Sequence, residues 1–192
     1  KVTAALEAAG LKPPADFLHR YPQQLSGGQR QRVVIASALV LNPSYLVADE
    51  PVSMLDVSIR AEILNLLLNL RDEHNITMVY ITHDLASAAY IADRVAVMYL
   101  GTIVEIGPAE TVLDDPRHPY TKALMSVIPV PNPRQRKKRI VLKGETPNPI
   151  DLPTGCRFHP RCPEAIPSCS KTEPKLEDLG DNHQAACLLL KD

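Results

Sequence analysis

The feature that most restricts this chain is a repeated alternation between residues 26 and 106. Short apolar runs with strand character are separated by stretches of helical period. Residues 26–41 follow Ser26, a good helix N-cap, and space Val33, Val34, Ala38 and Val40 as a helix does. Tyr45–Ala48 is a buried-strand run that ends in Asp49-Glu50-Pro51. Ser58–Arg71 puts Ile59, Ile63, Leu66, Leu67 and Leu70 on one helical face. Ile76–Thr82 is a second strand, and Leu85–Ala92 a further helix. Strand, helix and strand in this order predict βαβ units and an α/β fold with a parallel sheet flanked by helices. Arg94–Tyr99 and Thr102–Ile106 flank Leu100-Gly101 as a hairpin, expected as an antiparallel addition at a sheet edge.

The ends of the chain read differently. Residues 2–9 form a short helix stopped by Gly10 and Pro13-Pro14. Helices are expected from Pro108 to about Leu113 and over Tyr120–Val127, followed by a linker, Pro129–Arg139. Prolines crowd residues 108–174, and all four cysteines lie beyond residue 155. A change of architecture is therefore expected near residue 107, with an α/β region over 1–107 and a small, irregular, Cys-rich extension over 108–192. No apolar run reaches the ~18 residues needed to span a bilayer. The net charge of -1 indicates no polyanionic partner, nucleic acid included. The chain opens at Lys1 on an amphipathic stretch, without an export signal, and the missing Met suggests a fragment or processed chain.

Four local patterns carry chemistry. In Leu25-Ser26-Gly27-Gly28-Gln29, two glycines and a hydroxyl stand at a helix start. There the backbone N–H groups and the helix dipole favour an anion; a plain N-cap with a flexible entry loop accounts for the four residues equally well. Asp49 and Glu50 arrive at the C-terminal end of a buried strand, where open α/β sheets bind ligands. One such carboxylate can hold Mg²⁺ through water and the other can orient an attacking water. Taken alone, the pair also reads as a solvated acidic turn. Ser53-Met54-Leu55-Asp56 follows as a turn, and Ile81-Thr82-His83-Asp84 ends the second strand. A histidine there can bond a phosphate oxygen or simply cap the turn.

The order and spacing of these four patterns resemble the nucleotide-binding cassette of ABC ATPases over about residues 20–107. The resemblance implies that Ser26, Gly27, Gly28 and Gln29 form the signature contacting the γ-phosphate of ATP held by a partner subunit. It assigns Asp49 to Mg²⁺, Glu50 to general base or water positioning, Asp56 to the D-loop and His83 to the switch at the γ-phosphate. Met54 stands where the family usually has Ala. No Gly-x-x-x-x-Gly-Lys-Ser/Thr, adenine-stacking aromatic loop or Q-loop precedes the signature in these 192 residues. The expectation is that this chain alone binds ATP weakly or not at all, and that hydrolysis needs the preceding cassette segment and a second ATPase subunit, identical or different.

Pro116-Arg117-His118-Pro119-Tyr120-Thr121-Lys122-Ala123-Leu124 is a proline-started helix in its own right. In this position it also resembles the C-terminal extension of oligopeptide and dipeptide importer ATPases, shared with some importers of nickel and other small solutes. Tyr120 and Leu124 would then pack rather than react. The implied function is ATP-driven uptake of peptides, with transmembrane permease subunits as partners and a peripheral place on the cytoplasmic face of the membrane. A soluble ABC ATPase of DNA repair or translation would show coiled-coil insertions or a second cassette, and this chain shows neither. In isolation the chain also fits a non-catalytic metal-binding or interaction module. Arg134–Arg139 holds five basic residues in six, read as a solvated linker with anionic lipid headgroups as an alternative contact.

Cys156, Cys162, Cys169 and Cys187 are spaced C-x5-C-x6-C-x17-C. Disulfides, a zinc site helped by His159 or His183, an iron–sulfur cluster and four free thiols all remain open on spacing. A loop-rich segment with few large apolar residues needs a staple. Cys156-Arg157-Phe158-His159-Pro160-Arg161-Cys162 resembles the CxFxxRC pattern of peptide-importer ATPases, some of which hold a [4Fe–4S] cluster there. That resemblance favours a [4Fe–4S] cluster over Zn²⁺ as ligand of the four cysteines.

Overall fold

A computed structural model describes residues 1–128 and 139–190. Almost all of the expected linker and of the basic run, residues 129–138, falls outside the described residues. The chain divides into two compact units, Lys1–Ile91 and Ala92–Asp192.

The first unit holds α1 (Val2–Ala8), α2 (Gly27–Leu39), β1 (Tyr45–Asp49), α3 (Val57–His74), β2 (Thr77–Ile81) and α4 (Leu85–Ile91). Strands β1 and β2 pair in parallel, from Tyr45 opposite Thr77 to Asp49 opposite Ile81. Crossover helix α3 starts on Asp56, whose Oδ1 accepts the Ile59 N–H at 3.1 Å. It ends on Asn75, whose left-handed φ of 51° closes the helix with an N–H to the Arg71 carbonyl. Its buried face, Ile63, Leu64, Leu66, Leu67 and Leu70, packs with Ile35 and Leu39 of α2, Leu6 of α1 and Leu11. Leu46, Met78 and Tyr80 of the two strands close the same core. The opposite strand face leaves Tyr45, Val47, Val79 and Ile81 exposed.

The second unit holds β3 (Arg94–Tyr99), β4 (Thr102–Pro108), α5 (Ala109–Asp114), α6 (Pro119–Met125), β5 (Glu177–Asp178) and β6 (Gln184–Ala185). The hairpin turn uses Leu100 at φ 46° and Gly101 at φ 76°, the pair of positive angles that suits a two-residue hairpin. The expected edge position is corrected here. The hairpin is antiparallel, but it belongs to a sheet of its own with order β3-β4-β6-β5, completed by residues some eighty positions downstream. Val95, Val97 and Tyr99 alternate inward, and with Val104, Val112 and Phe158 they form the second core.

Candidate functional site

Each sequence pattern has a defined local structure. Ser26 caps α2 through a reciprocal box. Its Oγ accepts the Gln29 N–H at 3.2 Å, and the Gln29 Oε1 accepts the Ser26 N–H at 3.0 Å. As an acceptor, the serine hydroxyl keeps its own proton for an outside partner. Gly28 is buried, and a Cβ there would come within 2.7 Å of Ile59 Cγ2. A Cβ on Gly27 would lie 3.7 Å from Leu55 Cδ2. The signature turn therefore lies directly on the start of α3, and Gly28 is needed for packing as well as for any anion.

Strand β1 ends with Asp49 exposed, and Glu50 turns the chain at φ 44°. The Glu50 N–H donates to the Ile81 carbonyl at 2.9 Å, so the parallel pairing extends one residue and sets the two strand ends side by side. His83 Nδ1 and Glu50 Oε1 are then 2.9 Å apart. The two side chains are 75% and 45% exposed, so the pair stands open to solvent at the C-terminal edge of the sheet. The Asp56 carboxylate is occupied as the cap of α3. The structure thus joins Glu50 to His83 and the signature turn to α3, each within the first unit.

In the second unit none of the four cysteines is in a disulfide. The Cys156 N–H donates to the Cys169 carbonyl at 2.8 Å. Gly155, at φ 66°, makes that approach possible, since a Cβ there would lie 2.4 Å from the same oxygen. Burial pushes Cys162 up to about 11 and also raises Cys156 and Cys187. Neighbouring thiols add to each shift: Cys169 to Cys156, Cys187 and Cys156 to Cys162, and Cys156 and Cys169 to Cys187. Each of the four thiols is therefore within electrostatic reach of at least one other. Among the described residues, however, no group of three or more His, Cys, Asp or Glu side chains is arranged to hold a metal ion. The two expected histidine substitutes are engaged elsewhere. His159 Nδ1 bonds the Cys156 carbonyl at 2.9 Å, and His183 Nε2 bonds Glu105 Oε1 at 2.8 Å.

Glu105 is the residue that sequence reasoning missed. It is fully buried in β4. Its Oε1 also accepts the Arg117 N–H at 2.7 Å, and its Oε2 accepts the His118 N–H at 2.9 Å. The His-Pro-Tyr turn and the C-terminal segment are thus both fastened to one carboxylate. His118 Nδ1 in turn caps α6 by accepting the Tyr120 N–H at 3.0 Å. Burial outweighs the attraction of Glu105 and lowers His118 to about 4, so its ring is neutral at pH 7. Tyr99, Tyr120 and Phe158 pack as a ring cluster beside it, with centroids 4.8 to 5.3 Å apart. Tyr120 and Leu124 pack into this core, as expected.

Residues 1–53 match the ABC transporter family, and residues 104–169 match the oligopeptide/dipeptide transporter C-terminal region. The chain belongs to the ABC transporter family and carries its peptide-type C-terminal region. It is 49% identical over its whole length to a putative oligopeptide transport ATP-binding protein of Bacillus subtilis. Over 97% of its length it is 50% identical to a dipeptide transport ATP-binding protein of Haemophilus influenzae. The chain spans only 58% and 57% of those two relatives. Among solved structures, the ATP-binding cassette MJ1267 of an ABC transporter superposes with a TM-score of 0.53 at 32% identity, over 60% of this chain and 46% of that one. Among the described residues of this ABC family member, no helix is long and apolar enough to cross a membrane.

Proposed function

We propose that this chain is part of the ATP-hydrolysing subunit of an importer that takes up di- or oligopeptides. The observation that carries the reading is the Glu50–His83 contact at paired strand ends, in a chain bearing both family regions. Glu50 orients the attacking water, and His83 holds Glu50 and reaches the γ-phosphate. Asp49, an exposed oxygen donor at the end of β1, suits Mg²⁺. Ser26, Gly27, Gly28 and Gln29 present a free hydroxyl proton and helix N–H groups to the ATP of a second subunit, and Asp56 faces that subunit. The subunit lies on the cytoplasmic face of the membrane against permease subunits. Without a phosphate-gripping glycine loop, the 192-residue chain by itself does not hydrolyse ATP.

Cys156, Cys162, Cys169 and Cys187 suit a [4Fe–4S] cluster better than zinc, because the donor set is four thiols and the histidines that could complete a zinc site are engaged elsewhere. Such a group would staple a segment poor in regular structure. Stoichiometric iron and acid-labile sulfide in anaerobically purified protein are expected; zinc without sulfide, or four titratable thiols, would reject the cluster. For hydrolysis, the longer protein that contains this chain is compared with its Glu50→Gln variant. A loss of kcat of about 10²-fold or more is expected, and an unchanged kcat would overturn the assignment of Glu50.

A further inference from the structure

Glu50 and His83 meet through a single hydrogen bond between largely exposed side chains, so something else must hold the His83 turn in place. Inside the turn, the Asp84 N–H donates to Thr82 Oγ1 at 3.0 Å and the Ala86 N–H donates to Asp84 Oδ1 at 3.0 Å. The hydroxyl of the buried Ser87 donates to the Asp84 carbonyl at 2.8 Å. Residues 82–87 therefore form one stiff piece. Besides the His83–Glu50 bond, a side-chain tie to another element comes from Arg60 on the first turn of α3. Arg60 Nη1 donates to Asp84 Oδ2 at 3.1 Å, and Nη2 donates to the Leu55 carbonyl at 3.4 Å. Leu55 and Ile59 are the residues whose side chains a Cβ on Gly27 and on Gly28, respectively, would meet. The start of α3 thus contacts the signature turn on one side and holds the histidine turn on the other.

We propose that Arg60 is a positioning residue that sets His83 relative to the Ser53–Asp56 turn and the signature. The proposal rests on the hydrolytic reading above. A planar guanidinium can bond a carboxylate and a carbonyl at once, whereas an ammonium on a flexible stem cannot hold both with the same geometry. The Arg60–Asp84 pair is about one-third exposed on each side, where ion pairs add little stability. Its consequence is therefore placement rather than stability. Misplacement of a reacting group by about 1 Å costs on the order of 10²-fold in rate.

The test uses the longer protein containing this chain, with Arg60→Ala, Arg60→Lys, Asp84→Asn and the Arg60→Ala/Asp84→Asn double variant. Two readouts are taken: steady-state ATP hydrolysis, and amide hydrogen exchange over residues 82–88 against α2 and α3. Arg60→Ala is expected to lower kcat at least about tenfold with KM for ATP within about twofold. Exchange should rise in 82–88 alone. Arg60→Lys should recover part of both effects, and the double variant should be no worse than Arg60→Ala because the two residues act as one unit. Unchanged exchange in 82–88, or an unchanged kcat beside an inactive Glu50→Gln control, overturns the proposal. If Glu50→Gln leaves hydrolysis intact, the assignment of the catalytic pair falls instead, and the exchange result alone decides whether Arg60 fixes the turn.

Discussion

Replacing Glu105 with Ala removes a carboxylate that accepts three hydrogen bonds in a fully buried site. The Arg117 and His118 N–H groups and the His183 ring lose their partner together. A buried donor left without its acceptor costs about 1–3 kcal/mol, so losing all three partners is expected to cost about 3–5 kcal/mol. With a urea m value near ~1.5 kcal/mol/M, the unfolding midpoint of the second unit should fall by about 2–3 M. Glu105→Gln keeps the shape and one acceptor but turns an NH₂ toward a donor, and about 1–3 kcal/mol is expected. Near-UV circular dichroism is a suitable probe, because the chain has no Trp and Tyr99 and Tyr120 pack against each other in this unit. An Ala variant whose midpoint stays within ~0.5 M of wild type would refute the hub reasoning.

Three further outcomes are expected. His118 is lowered from 6.5 to about 4 by burial, so the unfolded chain takes up a proton that the folded chain refuses. Stability is therefore full above pH 6.5 and declines by on the order of 3 kcal/mol as pH falls toward 4, and His118→Asn, which keeps a capping acceptor, should flatten that decline in urea titrations run against pH. Gly155→Ala places a methyl against the Cys169–Lys171 backbone, whereas Gly144→Ala, also at positive φ, meets open space. Thermal denaturation should separate them, at about 2–4 kcal/mol against about 1 kcal/mol. In metal-free protein, Cys162, raised to about 11, should alkylate at pH 8 on the order of a hundredfold slower than free cysteine, as followed by mass spectrometry of the labelled peptide.

The elements that position the nucleotide motifs were legible because local signals agreed with the fold. Ser26 and Gln29 form a capping box on their own sequence terms, the apolar face of 58–71 is the buried face of α3, and both strands of the parallel pair lie within one residue of their expected ends. The second unit was less legible because its order comes from long-range contacts. Nothing around Val104-Glu105-Ile106 announces a buried acid, since alternation along a strand assigns such a residue to the solvent face. His183 read as a spare metal ligand because sequence cannot show that β6 brings it to Glu105. Nothing in the sequence singles out Arg60, because its partners, Asp84 and the Leu55 carbonyl, are set by tertiary packing.

The Glu105–His183 bond joins residues 78 positions apart. At a synthesis rate of about 5–20 residues per second, the carboxylate waits roughly 4–16 s for its histidine to be made. Until then the Glu105 side chain lacks its histidine, and the open edge of β4 lacks β6. The N-terminal unit, whose parallel strand pairing and core cluster lie within residues 5–91, has no such wait. The two units therefore finish in order, with the parallel pair and its turns settled first and the second unit locked only when residues 183–185 have been made.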